Sequence, residues 1–244
     1  MAEHNIHILS TRQLKKDLVE KAARRHIQAD AEAFIQNIPE SSRETSEAIR
    51  TLSLQPVVAV FTSIHAVEVV KGELDGLTPS WEIYCTGGAT KEALLEIFKE
   101  ENIIATAKNA SGLAEKILQQ GQIKEVFFFC SRQRLNDLPE TLAAGGVKVN
   151  ELVVYQTVGT PVVIDKEYDA ILFFSPSGVH SFFSVNTIPL STTLFSIGKT
   201  TTATIGSYCG NEVITSQWPG EATLVDLVID YFAKTAGEIN NTNH

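Results

Sequence analysis

The stretch V-V-A-V-F-T-S at residues 57–63, followed by Val67, returns as A-I-L-F-F-S at residues 170–175, followed by Val179. Ser63 and Ser175 stand 112 positions apart, and so do the two valines. Gly87 and Thr90 match Gly198 and Thr201 at an offset of 111, as Gly112 to Glu115 match Thr223 to Asp226. A second family of matches runs at 120: Arg12-Gln13 with Arg132-Gln133, and Ile35-Gln36 with Tyr155-Gln156. Two similar halves therefore interleave, and repeats decide architecture before motifs do. The early unit joins the late one, giving a discontinuous domain of residues 1–36 plus 158–244 and a second domain of residues 37–157. Chance likeness between strand-turn-helix units is the competing explanation, since several matched residues are only valine, glycine or serine.

Working outward, short apolar runs alternate with helical patterns along the chain. Examples are Ile6 to Leu9 then Leu14 to Arg25, Ile83 to Cys85 then Lys91 to Glu100, and Ile171 to Phe174 then Gly178 to Ser184. Continuous apolar strands alternating with helices imply parallel sheets covered on both faces. The predicted fold class is α/β, with two similar domains, each a parallel sheet flanked by helices, joined by a two-stranded linker with a cleft between them. Residues 31–38 and 151–158 break the rhythm and are the expected crossing strands, near 33–40 and 152–160. They are followed by the polar stretch S-S-R-E-T-S and by G-T-P. Such a double crossover predicts lobes that open and close. The last stretch, E-I-N-N-T-N-H from Glu238, reads as a frayed polar tail.

The bulk numbers exclude several classes. With 244 residues and 43% hydrophobic content, the chain can fill two cores. Lys plus Arg number 20 against 29 Asp plus Glu, a formal charge of −9, and no basic run tracks a phosphate backbone, so nucleic acid is disfavoured. Cys85, Cys130 and Cys209 are far apart, which suits neither a disulfide framework nor a metal or redox pair. No targeting segment is visible, and the longest apolar runs fall far short of the roughly 20 residues that span a bilayer. A soluble, cytoplasmic monomer is expected, with no membrane association.

In open parallel sheets, ligands bind at the carboxyl ends of the strands, where helices begin and unpaired N–H groups point outward. The repeated turns occupy those places: residues 61–63, 174–178 and 197–201. Small hydroxyl and glycine residues there suit carboxylates or phosphates. For Ser63, Ser175, Ser177 or Thr200, each taken alone, capping is the favoured explanation; repetition in both halves favours a ligand for the set. No G-x-G-x-x-G, Walker-type loop or G-x-S-x-G elbow occurs. His4, His7, His26, His65, His180 and His244 lack metal-ligand spacing and read as surface or turn residues, so no metal is expected. Tyr155 lies on a predicted crossing strand, where its repeat partner is Ile35. Its phenol either faces the cleft as a donor or reflects the ordinary preference of tyrosine for strands.

Taken together, F-T-S (61–63), V-Y-Q-T (154–157), F-F-S-P-S-G-V (173–179), I-G-K-T-T (197–201) and P-G-E-A-T-L-V-D-L-V (219–228) resemble the uroporphyrinogen-III synthase family. That resemblance implies closure of the linear tetrapyrrole hydroxymethylbilane, a polycarboxylate, with loss of water and inversion of the terminal ring, and no cofactor. It implies that Tyr155 assists departure of the hydroxyl and that Thr223 contacts substrate. Ser63, Ser175, Ser177, Gly178, Gly198, Lys199, Thr200 and Thr201 would hold acetate and propionate groups, largely through backbone N–H. A charge of −9 opposes such a substrate, so Arg12, Arg132, Lys199 and the helix starts must supply local positive potential. A non-catalytic, two-lobed anion sensor is the main competing class, and a nucleotide-sugar transferase a third.

Overall fold

The computed structural model describes residues 5–40, 42–218 and 220–241, with side chains as far as Thr235. His4, Ser41, Pro219 and the last three residues of the expected tail, His244 included, lie outside the described residues. The chain forms two compact units, Met1–Gln36 with Val158–His244, and Asn37–Thr157.

The central unit runs α2 (Arg43–Ser53), β4 (Val58–Phe61), α3 (Ile64–Leu74), β5 (Glu82–Thr86), α4 (Ala89–Leu95), β6 (Ile103–Ala107), α5 (Ala110–Gln119), β7 (Glu125–Ser131) and α6 (Asp137–Ala144), and enters β8 (Lys148–Gly159). Its strands lie in the order β8-β7-β4-β5-β6, all parallel, with β3 (Ile35–Pro39) beside β8 at the edge. Thr160 N donates to Phe34 O at 2.9 Å and Glu40 N to Val154 O at 2.8 Å, so β3 and β8 run antiparallel. The chain leaves the first unit within β3 and returns within β8. Strand alternation feeds two cores. Ala59, Phe61, Ile83, Cys85 and Phe129 face α2, α3 and α4, whereas Val60, Tyr84, Phe128 and Cys130 face α5 and α6. Trp81 is 1% exposed; it stacks on Phe129 and donates Nε1–H to Leu52 O at 2.9 Å, satisfying its polar atom.

The other unit is built from both ends: β1 (Ile6–Ser10), α1 (Lys16–Ala23) and β2 (Ile27–Ala31), then β9 (Ala170–Phe173), α7 (Pro176–Phe183), β10 (Thr193–Ser196), α8 (Lys199–Gly206), β11 (Val213–Thr215) and α9 (Glu221–Asn241). The sheet order is β11-β10-β9-β1-β2, also parallel. Ile8, Leu172 and Phe195 pack against α1 and α9; Leu9, Phe173 and Leu194 pack against α7 and α8. Reading β9-β10-β11-β1-β2 for β4-β5-β6-β7-β8 reproduces the central order strand for strand, so the interleaved repeat corresponds to one topology cut at different points.

Several elements differ from expectation. The polar stretch after β3 opens helix α2, whose N-cap Ser42 accepts from Thr45 N at 3.0 Å and whose exposed face carries an Arg43–Glu47 pair. Only Ile49 and Leu52 bury, too few for an apolar period to show. The extended run from Ala31 is two strands, because β2 ends there and β3 begins at Ile35. The helix expected to reach Glu100 stops at Leu95, where Phe98 turns into the core and a 3₁₀ turn (Glu100–Asn102) follows. The first four residues of the expected tail, to Asn241, continue helix α9, in which the stretch A-K-T-A-G-E (233–238) supplies Ala, Lys and Glu.

Candidate functional site

Each sheet changes direction of winding at one point, between β4 and β7 in the central unit and between β1 and β9 in the other. At such a point, the loops leaving adjacent strands diverge to opposite faces and open a crevice at the carboxyl ends.

In the central unit, that end gathers Thr62-Ser63 after β4, Ser131-Arg132 after β7 and Tyr155 on β8. Tyr155 arrives there through a bulge. Cys130 pairs with Val153 but Ser131 pairs with Tyr155, so β8 holds one extra residue. Simple alternation would put Tyr155 with Val149 and Val153 on the α5–α6 face; the extra residue turns it onto the α3 face with Leu152 and Val154. The side chain is 8% exposed, and its O–H donates to Ser63 Oγ at 3.0 Å. Ser63 is the N-cap of α3, also accepting from His65 N at 3.2 Å. Both lone pairs of Ser63 are thus used, leaving its own hydroxyl proton to donate. Beside the phenol lies a hollow of about 170 Å³ lined by Asn37, Pro39, His65, Glu68, Val69 and Tyr155. His65 sits in the first turn of α3 with its side chain 43% exposed, in keeping with a surface residue, and Nδ1 lies 3.0 Å from Glu68 Oε2. His180, in α7 and paired with Tyr208, and His7, on β1, are likewise exposed.

In the other unit, Thr11 donates its N–H and Oγ–H to Leu172 O at 3.1 and 2.7 Å, fixing the turn after β1 against β9. Arg12 follows, with its guanidinium 4.4 Å from the Phe174 ring centroid and an Nη 2.7 Å from Glu221 Oε2. Glu221 also accepts from Lys15 N at 2.6 Å, so its carboxylate is held twice and tethers the start of α9 to this turn. Ser175 caps α7, accepting from Gly178 N at 3.1 Å; the N–H of Gly178 is therefore already engaged. Ser177 and Thr200 sit one residue inside α7 and α8, so capping does not account for them.

The start of α8 carries no side-chain cap. Gly198 is its N-cap and has no side chain to cap the first N–H groups. Its φ of 174° is ordinary extended backbone, and a Cβ built there meets nothing within 4 Å, so neither conformation nor packing calls for glycine. Lys199 and Thr200 are exposed, while Thr201 is buried. Behind them, Thr202 Oγ1 bonds Ser196 Oγ and lies 2.7 Å from Thr215 Oγ1, a half-buried hydroxyl chain that no sequence motif marks. Thr223 lies half-buried in the first turn of α9. The equivalent first-half turn has Gly88 as the N-cap of α4 at φ 67°, a left-handed conformation that does favour glycine.

Groups with displaced acidities lie elsewhere. Burial pushes the Cys85 and Cys130 thiols up to about 11 and about 12. Burial, with a hydrogen bond to Asp30, raises Tyr168 to about 12, while Lys166 and Tyr168 hold Asp30 below the usual carboxylate value. Among the described residues, no three His, Cys, Asp or Glu are grouped to hold a metal, and no helix is long and apolar enough to cross a membrane.

Comparison with known proteins adds a family and a fold. The family model for uroporphyrinogen-III synthase HemD matches residues 16–226. The crystal structure of uroporphyrinogen-III synthetase from Helicobacter pylori aligns over 93% of this chain and 99% of its own, with a TM-score of 0.65 and 16% identity. A mutant uroporphyrinogen III synthase from Thermus thermophilus aligns over 94% of this chain and 99% of its own, with a TM-score of 0.62 and 14% identity. At such identities, the structural likeness speaks to the fold, which is α/β with parallel sheets flanked by helices.

Proposed function

The chain belongs to the uroporphyrinogen-III synthase family, and from that premise we propose how its residues carry out the cyclisation of hydroxymethylbilane to uroporphyrinogen III, a step of tetrapyrrole biosynthesis. The family match over residues 16–226 is the observation that carries the activity.

The reaction is a loss of water followed by ring closure, which makes the protein a hydro-lyase. The substrate hydroxymethyl C–O bond breaks as the adjacent pyrrole nitrogen pushes electrons in, and the departing oxygen needs a proton. Tyr155 supplies it. The phenolate then takes back the pyrrole N–H proton, leaving the azafulvene neutral and the enzyme unchanged. Ser63 supports both stages: its Oγ accepts from the phenol at 3.0 Å, and its own proton can turn to meet a phenolate oxygen. Attack by the substituted carbon of the terminal ring gives a spiro intermediate, which recloses with that ring inverted. All atoms of the product come from the bilane less one water, and no oxidation state changes, so the chemistry requires no cofactor.

The substrate carries many carboxylates, and the unaided bilane closes to the uninverted isomer. The protein's task is mostly to fix conformation and choose the attacked carbon. We assign the open N–H groups at the start of α8, with Gly198, Lys199, Thr200 and Thr201, to substrate carboxylates, since an uncapped helix start beside a lysine suits an anion. Ser175, Ser177, Gly178, Thr223 and Arg12 complete the proposed substrate set at the carboxyl ends of β9 and β1. Arg12 contributes while held by Glu221, which sets its direction and dilutes its charge. A cytoplasmic monomer fits this reading.

The test is to incubate the protein with freshly made hydroxymethylbilane, oxidise the products and separate the type I and type III porphyrins. Type III in excess, formed faster than spontaneous closure, is the expected result. Type I alone at the spontaneous rate overturns the proposal.

A further inference from the structure

We infer that His65, oriented by Glu68, is a positioning residue for proton transfer by Tyr155, its imidazolium form favouring the phenolate that appears when the hydroxyl leaves. This rests on the reading of Tyr155 as the proton donor.

Three observations converge on it. The imidazole lies edge-on to the Tyr155 ring, with centroids 5.8 Å apart and planes at 62°, close enough for its charge to act on the phenol oxygen. Glu68 Oε2 stands 3.0 Å from Nδ1, and a carboxylate there requires a proton on Nδ1. That places the Nδ1 proton on the Glu68 side and leaves Nε2 on the opposite edge of the ring. Finally, both rings line the same hollow of about 170 Å³, and His65 N bonds the Ser63 Oγ that accepts the phenol hydrogen bond. The helix start, Ser63, the imidazole and the phenol therefore form one connected unit.

Among the described residues lining the hollow, the charged and titratable groups beside His65 are Glu68 and the Tyr155 phenol. Its own helix brings Glu68, β8 brings the Tyr155 phenol, and β3 brings Asn37 and Pro39, which do not titrate. A cation beside a phenol favours loss of its proton. The neutral imidazole lacks this effect, so the pH profile of the water-loss step reads whether His65 contributes. Histidine ordinarily changes charge between about pH 5 and 8, inside the range an assay can cover.

The experiment measures kcat and KM for type III formation from about pH 5.5 to 8.5, a range that brackets the ordinary histidine titration, with the spontaneous reaction subtracted, in the wild type, His65→Gln, His65→Lys, Glu68→Gln and Tyr155→Phe. Wild-type kcat should show a limb descending with pH. His65→Gln should lower kcat about tenfold on the acid side, with KM within about twofold, and flatten the limb. His65→Lys should hold the acid-side rate to higher pH, and Glu68→Gln, which releases the imidazole from its Nδ1 partner, should lower kcat with KM nearly unchanged. Melting curves establish that each variant is folded, and His65→Lys keeps the inference testable should His65→Gln unfold. If Tyr155→Phe lowers kcat but His65→Gln and His65→Lys reproduce the wild-type pH profile, the role of His65 is overturned and that of Tyr155 stands. If Tyr155→Phe has wild-type kcat, the reading beneath both fails.

Discussion

Replacing Tyr155 by phenylalanine separates the chemical role of the hydroxyl from the structural role of the ring. The ring is 8% exposed and packs in the core that contains Phe61, Val67 and Phe129, all of which phenylalanine preserves. What disappears is one hydrogen bond, from the phenol to Ser63 Oγ at 3.0 Å. Ser63 keeps the N–H of His65 and is only half-buried, so water can take the vacated position. The stability cost is that of one ordinary hydrogen bond, about 1 kcal/mol, a fall in Tm of a few degrees (~3 °C). Loss of a positioned general acid costs about 10²- to 10⁴-fold in rate, or about 3–5 kcal/mol of transition-state stabilisation. The assay is single-turnover formation of type III product from fresh hydroxymethylbilane, with Tm measured on the same sample. The expected result is a kcat at least about 100-fold lower with KM nearly unchanged, accompanied by accumulation of spontaneous type I product. A variant that melts like the wild type and turns over within about threefold of it would refute Tyr155 as the proton donor.

Other perturbations test the frame around it. Ser175→Ala removes the cap that accepts from Gly178 N and should destabilise by about 1 kcal/mol, read from the denaturant midpoint; an unchanged midpoint would show that the cap is dispensable. Cys85 and Cys130, buried and with thiols raised to about 11 and about 12, should resist a thiol reagent under mildly alkaline conditions, while Cys209, half-buried, reacts first. Three rapidly reacting thiols in the folded protein would contradict the packing. Because the folded-state acidity of Asp30 is shifted below the ordinary carboxylate value of 3.8, its contribution is fully present above the unfolded carboxylate range and is lost as pH falls through the folded value. Asp30→Asn should therefore lower stability at neutral pH by less than about 1 kcal/mol, given the exposure of the Lys166 pair, and converge with the wild type in strong acid; a gap that widens toward acid would reverse the sign. Gly198→Ala should leave Tm unchanged, since a Cβ meets nothing within 4 Å, but raise KM several-fold if substrate approaches that helix start. Unchanged KM would remove Gly198 from the site.

The fold class was legible because the strands are buried on both faces and so read as unbroken apolar runs, each ending in a small-residue turn at a fixed offset from its copy. Ser63 and Ser175 announce both a repeat and two helix starts, and both residues do cap. Helix α2 was hidden because it buries only Ile49 and Leu52 and otherwise faces solvent. Strand β2 was hidden by its alternating, partly polar I-Q-A-D-A. At the site, Tyr155 stood out by residue type, but the bulge that aims it is a matter of register, and one extra residue in β8 leaves no mark in composition or periodicity. The Arg12–Glu221 tether joins residues 209 apart, and no local pattern encodes a pair at that separation. The glutamate beside His65 stands at the i,i+3 spacing, a helical signal masked by the turn-like F-T-S just ahead of it.

The cut in the repeated topology also sets an order of assembly during synthesis. Residues 37–157 are contiguous and can close as soon as β8 is made, whereas β1 must wait for β9, its neighbour 162 positions later in the pairing of Ile8 with Ala170. Until then, β1 has β2 alone as a neighbour, and its other edge, with Ile8 and Leu9, stays open, the kind of surface that recruits other chains. A ribosome that stalls between β8 and β9 would therefore release a finished half attached to a strand with one edge still open.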